Sequence, residues 1–188
     1  MKDLLHFLKT ESKLHKKYTF QLLRQAKGYF EAQPPLVDIV IPEGSRLTVC
    51  GDIHGQYYDL MHIFTENGLP SPTNMYLFNG DFVDRGSFSV ECIMVLLCFK
   101  LLYPDSLYMT RGNHETISMN KVYGFEGEVK AKYSDLTFKL FTEIFDALPL
   151  GHLIMDKILV VHGGLFSRDD VTLDEVFYFF VTNVGLHS

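Results

Sequence analysis

Four short glycine-containing segments hold side chains that suit metal and phosphate chemistry. Their polar residues are Asp52 and His54 in the first segment, Asp81, Asp84 and Arg85 in the second, Asn113 and His114 in the third, and His162 in the fourth. Carboxylate, imidazole and amide groups form a mixed oxygen and nitrogen ligand set, which suits manganese, iron or zinc better than calcium. Two such ions can activate water and neutralise charge that develops on a phosphoryl group. The sequence therefore predicts a dinuclear metal centre that hydrolyses phosphate esters.

Spacing within the segments indicates how the metal ligands are shared. Asp52 and His54 are alternate residues between glycines, so both side chains can converge on one ion. Asp81 is predicted to bridge that ion to a second one, which His162 also binds. A single Gly-Asp pair is equally typical of a turn or a helix cap. Four aligned segments favour the metal site.

The remaining polar residues suit the catalytic steps. The planar guanidinium of Arg85 can hold two phosphate oxygens, and the neighbouring Asp84 can orient a histidine. His114 is the candidate general acid, because an aliphatic alkoxide leaves poorly at neutral pH without a proton. Glu115 is predicted to support the metal ligands without binding a metal itself. Arg111 is predicted to form a supporting ion pair in preference to the alternative, direct contact with substrate.

The elements that must position these residues are strands, each ending in one of the segments. Apolar and β-branched runs predict strands at 46–50, 74–79 and 107–110, with helices at 56–67 and 88–102 between them. This alternation is typical of βαβ units, whose carboxyl ends meet at one sheet edge. Residues 130–148 predict one amphipathic helix, and 151–161 a hairpin that ends at His162.

Composition sets broad limits on the protein class. The 188 residues, 47% hydrophobic and 21% charged, are sufficient for one domain with a core. A formal charge of −6 gives no general attraction to nucleic acid or anionic membranes. The sequence shows no signal peptide or membrane span, and its three cysteines lack CxxC spacing. We expect reduced thiols and a cytoplasmic, or also nuclear, protein that binds neither nucleic acid nor membrane.

The ends of the sequence differ from its centre. Apolar residues such as Leu4, Leu8 and Leu23 recur at helical spacing in the first 30 residues, and Pro34-Pro35 then begins an extended segment. We expect an N-terminal helical segment at 1–33, a catalytic domain at 34–175 and a divergent tail at 176–188. The aromatic run at 177–180 is interpreted as a buried or misplaced apolar segment.

The four segments, read whole, resemble the signature of the phosphoprotein phosphatase family of serine/threonine phosphatases. Residues 51–56, 80–86, 111–115 and 162–165 carry this resemblance, and residues 78–91, 119–129 and 163–167 are most similar to the type 5 branch. The likeness extends from near Met1 to about Glu175. It implies an α/β (α+β) fold, a metallophosphoesterase-like β-sandwich flanked by helices.

The resemblance also implies a role for each site residue. Asp52, His54 and Asp81 would bind the first metal ion. Asp81, Asn113 and His162 would bind the second. His114, paired with Asp84, would be the proton donor. Arg85, Asn113 and His114 would contact the phosphate. Two divalent or trivalent ions are implied, with manganese favoured over iron or zinc, and phosphoproteins are the implied substrates.

Two departures from the family pattern are expected. Type 5 phosphatases carry N-terminal tetratricopeptide repeats that dock a chaperone; the sequence shows no such repeat, so chaperone docking is not expected. The family also adds a further histidine at the second metal, a second phosphate-binding arginine, and C-terminal strands with a tyrosine. This sequence is expected to lack all of them, so the catalytic domain would be incomplete and the second metal short of one ligand.

Two alternatives therefore stand beside an active serine/threonine phosphatase. One is a metallophosphoesterase that acts on nucleotides or other phosphodiesters, although residues 83–86 favour the protein phosphatase. The other is a catalytically impaired isoform or fragment that acts only as a binding module. Exposed strand edges and apolar surface in an incomplete domain would make the chain poorly active or unstable alone.

Overall fold

The computed structural model describes residues 13–164 and 166–183. Its strands are β1 (Leu36–Ile39), β2 (Arg46–Cys50), β3 (Asn74–Phe78), β4 (Leu107–Met109), β5 (Gly151–Ile154) and β6 (Ile158–Val161). Its helices are α1 (Lys16–Glu31), α2 (Tyr57–Asn67), α3 (Ser89–Leu102), α4 (Ile117–Tyr123), α5 (Phe125–Lys132), α6 (Asp135–Asp146) and α7 (Leu173–Asn183).

The strands form two three-stranded sheets. One sheet has the order β2-β3-β4 with all strands parallel, and the other has the order β1-β5-β6. Cys50, Phe78 and Met109, the last residues of β2, β3 and β4, are paired with one another across the parallel sheet. The three segments that follow therefore leave the sheet at the same level. This register brings the predicted site residues to one edge, as expected from the βαβ pattern.

The two sheets stack face to face. Met75 and Leu77 of β3 belong to an apolar cluster with Ile39 and Ile154 of the other sheet. Tyr76, between them in sequence, points to the opposite face and joins the larger core under the helices. Because β3 is covered on both faces, four of its five residues are buried. The predicted fold, a β-sandwich flanked by helices, is confirmed.

Helix α1 is part of the main core. Its residues Leu23, Ala26 and Phe30 are buried in the cluster that covers the parallel sheet. Lys27 Nζ lies 2.9 Å from Glu143 Oε2 of α6. Burial of Leu23 and Phe30 stabilises the docked helix by several kcal/mol, because fully burying a large apolar side chain contributes about 1.5–3 kcal/mol. The apolar positions predicted in residues 1–12 lie outside the described residues.

Three elements differ from the sequence-based predictions. Strand β1 lies in the segment that was expected to be extended but not part of a sheet. The sequence did not indicate this strand because its pairing with the distant β5 leaves no local pattern. Helix α4 was not predicted. The single helix expected at 130–148 is two helices, α5 and α6, with a break at residues 133–134. Ser134 causes the new start, since its Oγ accepts a hydrogen bond from Thr137 N at 3.3 Å.

Helix α7 crosses the boundary expected at residue 175. Val176 and Phe180 on its inner face are buried, whereas Phe177 and Tyr178 are 44% and 70% exposed. Gly151 lies beneath Phe180, since a Cβ added there would approach Phe180 Cε2 to 3.1 Å. The aromatic run is therefore only partly buried. Within residues 13–164 and 166–183, no helix combines the length and the apolar character that crossing a bilayer requires.

A buried histidine makes stability depend on pH. His152 of β5 is 1% exposed, and its Nδ1 lies 3.1 Å from Thr110 Oγ1. Burial, with a smaller contribution from the charge of Lys100, lowers the pKa of His152 from 6.5 to about 3. The unfolded chain therefore binds a proton more readily than the folded chain as the pH falls below about 6.5.

We expect His152 to cost about 2 kcal/mol of folding stability when the pH falls from 7 to 5, since each pKa unit is worth about 1.36 kcal/mol. Urea unfolding at the two pH values measures this loss. His152→Gln should show a correspondingly smaller fall, because glutamine does not titrate. His62→Gln, at an exposed position of α2, is the matched control and should follow the wild-type chain. Equal falls in both variants would exclude His152 as the source.

Candidate active site

Asp81 lies at the centre of the converged segments. Its Oδ2 atom is 3.6 Å from His54 Nε2 and 3.5 Å from His162 Nε2, and its side chain is only 5% exposed. Two groups of potential ligands share this carboxylate: His54, Asp81 and His114 form one, and Asp52, Asp81 and His162 form the other. A carboxylate common to two groups has the position that a bridging ligand needs.

The two groups fit metal ions. In each group one ligand atom per residue lies within 4.8 Å of the others. Ligand atoms around a single zinc-like ion lie roughly 2.0–2.2 Å from it, and so up to about 4.4 Å apart. The separations of 3.6 and 3.5 Å from Asp81 Oδ2 to His54 Nε2 and His162 Nε2 are within that range. Asn113 Oδ1 adds an amide oxygen 3.1 Å from His162 Nε2. The mixture of carboxylate, imidazole and amide suits first-row transition metals.

The structure brings all five predicted metal ligands together, although its grouping differs in part from the expected one. Asp52 groups with His162, whereas His54 groups with His114. Asp52 Oδ2 nevertheless lies 3.7 Å from His54 Nε2, the pair expected around the first ion. The assignment of each ligand to one ion therefore stays a prediction.

Backbone strain is concentrated in the same segments. His54, Asp81, Asp84 and Arg85 have φ values of 45°, 53°, 70° and 66°. Such conformations cost on the order of 1–3 kcal/mol each in a non-glycine residue, so contacts around them must hold them. Backbone hydrogen bonds hold these conformations: His54 N donates to Asp81 O at 2.9 Å, and Arg85 N donates to Tyr123 O at 3.0 Å.

Glu115 connects the segments that follow β3 and β4. Its fully buried carboxylate accepts hydrogen bonds from the backbone N–H groups of Asp81 at 2.7 Å, Phe82 at 2.8 Å and Gly112 at 2.9 Å. Burial raises the pKa of the Glu115 carboxyl to about 8, and the hydrogen bond from Phe82 is the largest opposing influence. This geometry agrees with the supporting position predicted for Glu115.

Two motif glycines are required by close approach of these segments. Gly80 has a φ of 86°, and a Cβ there would lie 2.6 Å from His162 Nδ1. A Cβ on Gly112 would lie 2.5 Å from Asp81 N and 2.7 Å from Glu115 Oε2. Distances below 3.0 Å to backbone atoms cannot be relieved by a side-chain rotation, so glycine is a steric requirement at residue 112.

His114 and Asp84 form a buried pair beside the metal ligands. His114 Nδ1 lies 2.9 Å from Asp84 Oδ2, and neither residue is exposed. Because an ionised carboxylate only accepts hydrogen bonds, we assign the proton of the neutral imidazole to Nδ1. Nε2 lies 3.2 Å from Arg85 Nη2, from which it accepts a hydrogen bond. In this tautomer the unprotonated Nε2 atom faces the exposed guanidinium.

The surroundings of Arg85 and Arg111 differ. Arg85 is exposed and its guanidinium lies 5.6 Å from the ring centre of Tyr123, whose ring also meets His114 edge-on at 5.0 Å. Arg111 Nη2 lies 2.6 Å from Asp146 Oδ1, and its Nε donates to Glu115 O at 3.2 Å. Arg111 thus forms the supporting ion pair that was predicted, while Arg85 has its guanidinium available to a ligand.

Sequence reasoning missed two residues of helix α4. Tyr123 covers Arg85 and His114, and Asn120 is a fully buried neighbour of the His114–Asp84 pair. No local periodicity marks either residue. The available signal was their place within residues 119–129, a segment similar to type 5 phosphatases.

Several known proteins are similar to this chain. Human Serine/threonine-protein phosphatase 5 is 56% identical over 176 residues, 94% of this chain and 35% of the human protein. Serine/threonine-protein phosphatase T of Schizosaccharomyces pombe is 57% identical over 164 residues, 87% of this chain and 35% of that protein. The chain thus spans about a third of the length of these relatives.

Solved structures support the same fold. A protein serine/threonine phosphatase from Saccharomyces cerevisiae, described as similar to human phosphatase PP5, has a TM-score of 0.86 and 44% identity, covering 90% of this chain and 54% of that one. A cold-active protein tyrosine phosphatase has a TM-score of 0.61 at 18% identity, covering 84% and 52% of the two chains. At that identity the second likeness shows the fold alone.

Two family models match the sequence. Residues 1–38 match one described as the PPP5 TPR repeat region, which qualifies the expectation that no such repeat is present. The described part of that range, 13–38, contains helix α1, whereas a tetratricopeptide repeat is a pair of helices in about 34 residues. Residues 45–185 match the second model, described as calcineurin-like phosphoesterase. This match covers most of the chain and includes every predicted site residue, so the chain belongs to the calcineurin-like phosphoesterase family.

Proposed function

We propose that this chain is a metal-dependent phosphomonoester hydrolase that acts on phosphoserine and phosphothreonine in proteins. The observation that carries the proposal is the position of Asp81, whose Oδ2 lies within 3.6 Å of the Nε2 atoms of both His54 and His162, next to the buried His114–Asp84 pair. Similarity to proteins named serine/threonine-protein phosphatases supports the substrate class. The carboxylate, imidazole and guanidinium groups of the site provide the proton donor and phosphate ligand that this reaction needs.

Five residues would hold the metal ions. They are Asp52, His54, Asp81, Asn113 and His162. When bound, ions in such a site activate water as a nucleophile and neutralise charge on the phosphoryl oxygens. We favour manganese, with iron or zinc as alternatives, because the ligand set combines carboxylate and amide oxygens with imidazole nitrogens.

The side chain of Arg85 would bind the phosphate, with Asn113 contacting the same group. For His114 Nε2 to carry a proton, the guanidinium must give up its hydrogen bond to that atom, now 3.2 Å long, because both groups would then be donors. Turning the guanidinium toward two phosphate oxygens would leave Nε2 free to carry that proton. Arg85 is exposed and its guanidinium packs against the ring of Tyr123, so this movement needs no rearrangement of the core.

His114 would then donate its Nε2 proton to the departing serine or threonine oxygen. The phosphorus–oxygen bond to the side chain breaks while a water oxygen bonds to phosphorus. One proton of that water stays on the hydrogen phosphate product, and the other restores the proton that His114 Nε2 donated. Asp84 accepts a hydrogen bond from Nδ1 throughout and so stabilises the protonated imidazole. The product is a neutral alcohol, which avoids release of an alkoxide.

The decisive experiment is hydrolysis of a phosphoserine peptide by the manganese-loaded chain. We expect turnover, and we expect His114→Asn to lower kcat by roughly 10²–10⁴-fold, the usual contribution of a positioned acid. His62→Asn, at an exposed position of α2, is the matched control and should retain wild-type activity. A folded, metal-loaded chain without turnover would refute the proposal and support a binding module. Preference for a phosphodiester over the peptide would instead indicate a nucleotide- or diester-specific enzyme.

A further inference from the structure

We propose that Asn120 is a positioning residue that holds Asp84 and His114 in the geometry required for proton transfer; this inference rests on the proposed function. Asn120 lies in the middle of α4 and is fully buried. Its Nδ2 atom is 2.9 Å from Asp84 Oδ2 and 2.7 Å from the main-chain oxygen of His114. One amide group therefore joins the carboxylate to the backbone that carries the imidazole.

The orientation of the Asn120 amide follows from its partners. Asp84 Oδ2 and His114 O are both acceptors, so the NH₂ group must face them and use both of its hydrogens. The reversed amide would place an oxygen against two oxygens. Asn120 Oδ1 is buried and has no hydrogen-bond partner among the described residues. Both amide hydrogens are therefore used, and this fixes the orientation of the side chain.

The corner between α4 and α5 holds Asp84 from two sides. Phe125 N, at the start of α5, donates to Asp84 Oδ1 at 2.9 Å. Asn120 and His114 both donate to Oδ2. Without Asn120, Oδ1 keeps the Phe125 donor and Oδ2 keeps only His114, so the direction of Oδ2 relative to the imidazole is no longer fixed by a separate group. Loss of the Asn120 donors should therefore disturb the His114–Asp84 hydrogen bond without removing a group that touches substrate.

A positioning role for proton transfer has a specific kinetic signature. Hydrolysis of a phosphoserine peptide needs a proton on the leaving oxygen, whereas p-nitrophenol leaves readily as an anion. We expect Asn120→Ala to lower kcat for the phosphoserine peptide by about 10–100-fold, the usual effect of a residue that orients a catalytic group. For p-nitrophenyl phosphate kcat should fall by less than about threefold, and KM for both esters should stay within about twofold, since Asn120 supports only the proton donor.

Two further variants separate this role from packing. Asn120→Asp keeps the size and shape of the side chain but offers only acceptors to a carboxylate and a carbonyl. Its kcat for the phosphoserine peptide should therefore fall at least as far as that of Asn120→Ala, with kcat for p-nitrophenyl phosphate again less affected. If the charge added in Asn120→Asp prevents folding, the result for Asn120→Ala still decides between the two roles. Thr19→Val removes a buried hydroxyl in α1, which donates to the main-chain oxygen of Leu14 just before that helix, and should leave the ratio of the two activities unchanged.

A second readout needs no turnover. In the metal-free wild-type chain the His114 Nδ1 proton should give a downfield NMR resonance that exchanges slowly with water, because it is hydrogen-bonded and buried. In Asn120→Ala we expect its exchange to be at least about tenfold faster, as a free-energy change of about 1.4 kcal/mol would produce. An unchanged Nδ1 proton overturns the inference, as does equal loss of activity on both esters. If the wild-type chain hydrolyses neither ester, the proposed function fails and the Nδ1 proton alone decides the role of Asn120.

Discussion

Replacing Asp81 with asparagine is expected to remove metal binding and catalysis together. Asp81 belongs to both ligand groups, and its Oδ2 lies within 3.6 Å of His54 Nε2 and His162 Nε2. Loss of one shared charge should weaken both ions. We expect kcat/KM for a phosphoserine peptide to fall on the order of 10³-fold, since electrostatic stabilisation of that size would be lost.

Metal content measured by mass spectrometry after dialysis tests this directly. Asp81→Asn should retain fewer ions per chain than the wild type at equal free manganese. Asp156→Asn, an exposed carboxylate in the β5–β6 turn, carries the same charge change and should bind metal normally. Undiminished metal content in Asp81→Asn would contradict the shared-ligand geometry.

Among the substitutions described here, Glu115→Ala is expected to cause the largest loss of folding stability. Three buried backbone N–H groups, those of Asp81, Phe82 and Gly112, donate to its carboxylate. Each would be left without its acceptor, at about 1–3 kcal/mol for a buried donor. We expect the free energy of unfolding to fall by about 3–6 kcal/mol, a loss comparable to the whole stability of many domains.

Urea unfolding of the metal-free chain at pH 7 measures this effect apart from any loss of metal. Glu66→Ala, at an exposed position of α2, removes the same side chain and should change stability by no more than about 0.5 kcal/mol. The Glu115 variant should also lose protection of the Asp81 and Gly112 amides in hydrogen exchange. If both variants have similar stability, the three hydrogen bonds do not organise the segments as the structure indicates.

The predicted site residues were accessible from sequence because each lies in the segment that follows a strand. Glycines at 80 and 112 mark backbone that must approach another segment closely. Parallel pairing of β2, β3 and β4 then brings the segments together. Asn120 and Tyr123 could not be found this way, since a helix residue gains its role only from the partner it packs against.

Long-range pairing explains the elements that were missed. Strand β1 has only four residues, and its hydrogen bonds go to β5 near the other end of the chain. The docking of α1 likewise depends on α3 and α6, which lie far away in sequence. Neither contact leaves a periodic pattern in the local residues, because the partner supplies the stabilising surface.

The sequence by itself determined the types of side chain at the strand ends, and hence the metal and phosphate chemistry that the chain can support. Only the tertiary structure decided which carboxylate is shared, which histidine nitrogen faces Arg85, and that Asn120 joins Asp84 to His114. The physical reason is that ligand type is a property of one residue. Distance and hydrogen-bond direction are instead properties of residues brought together by folding.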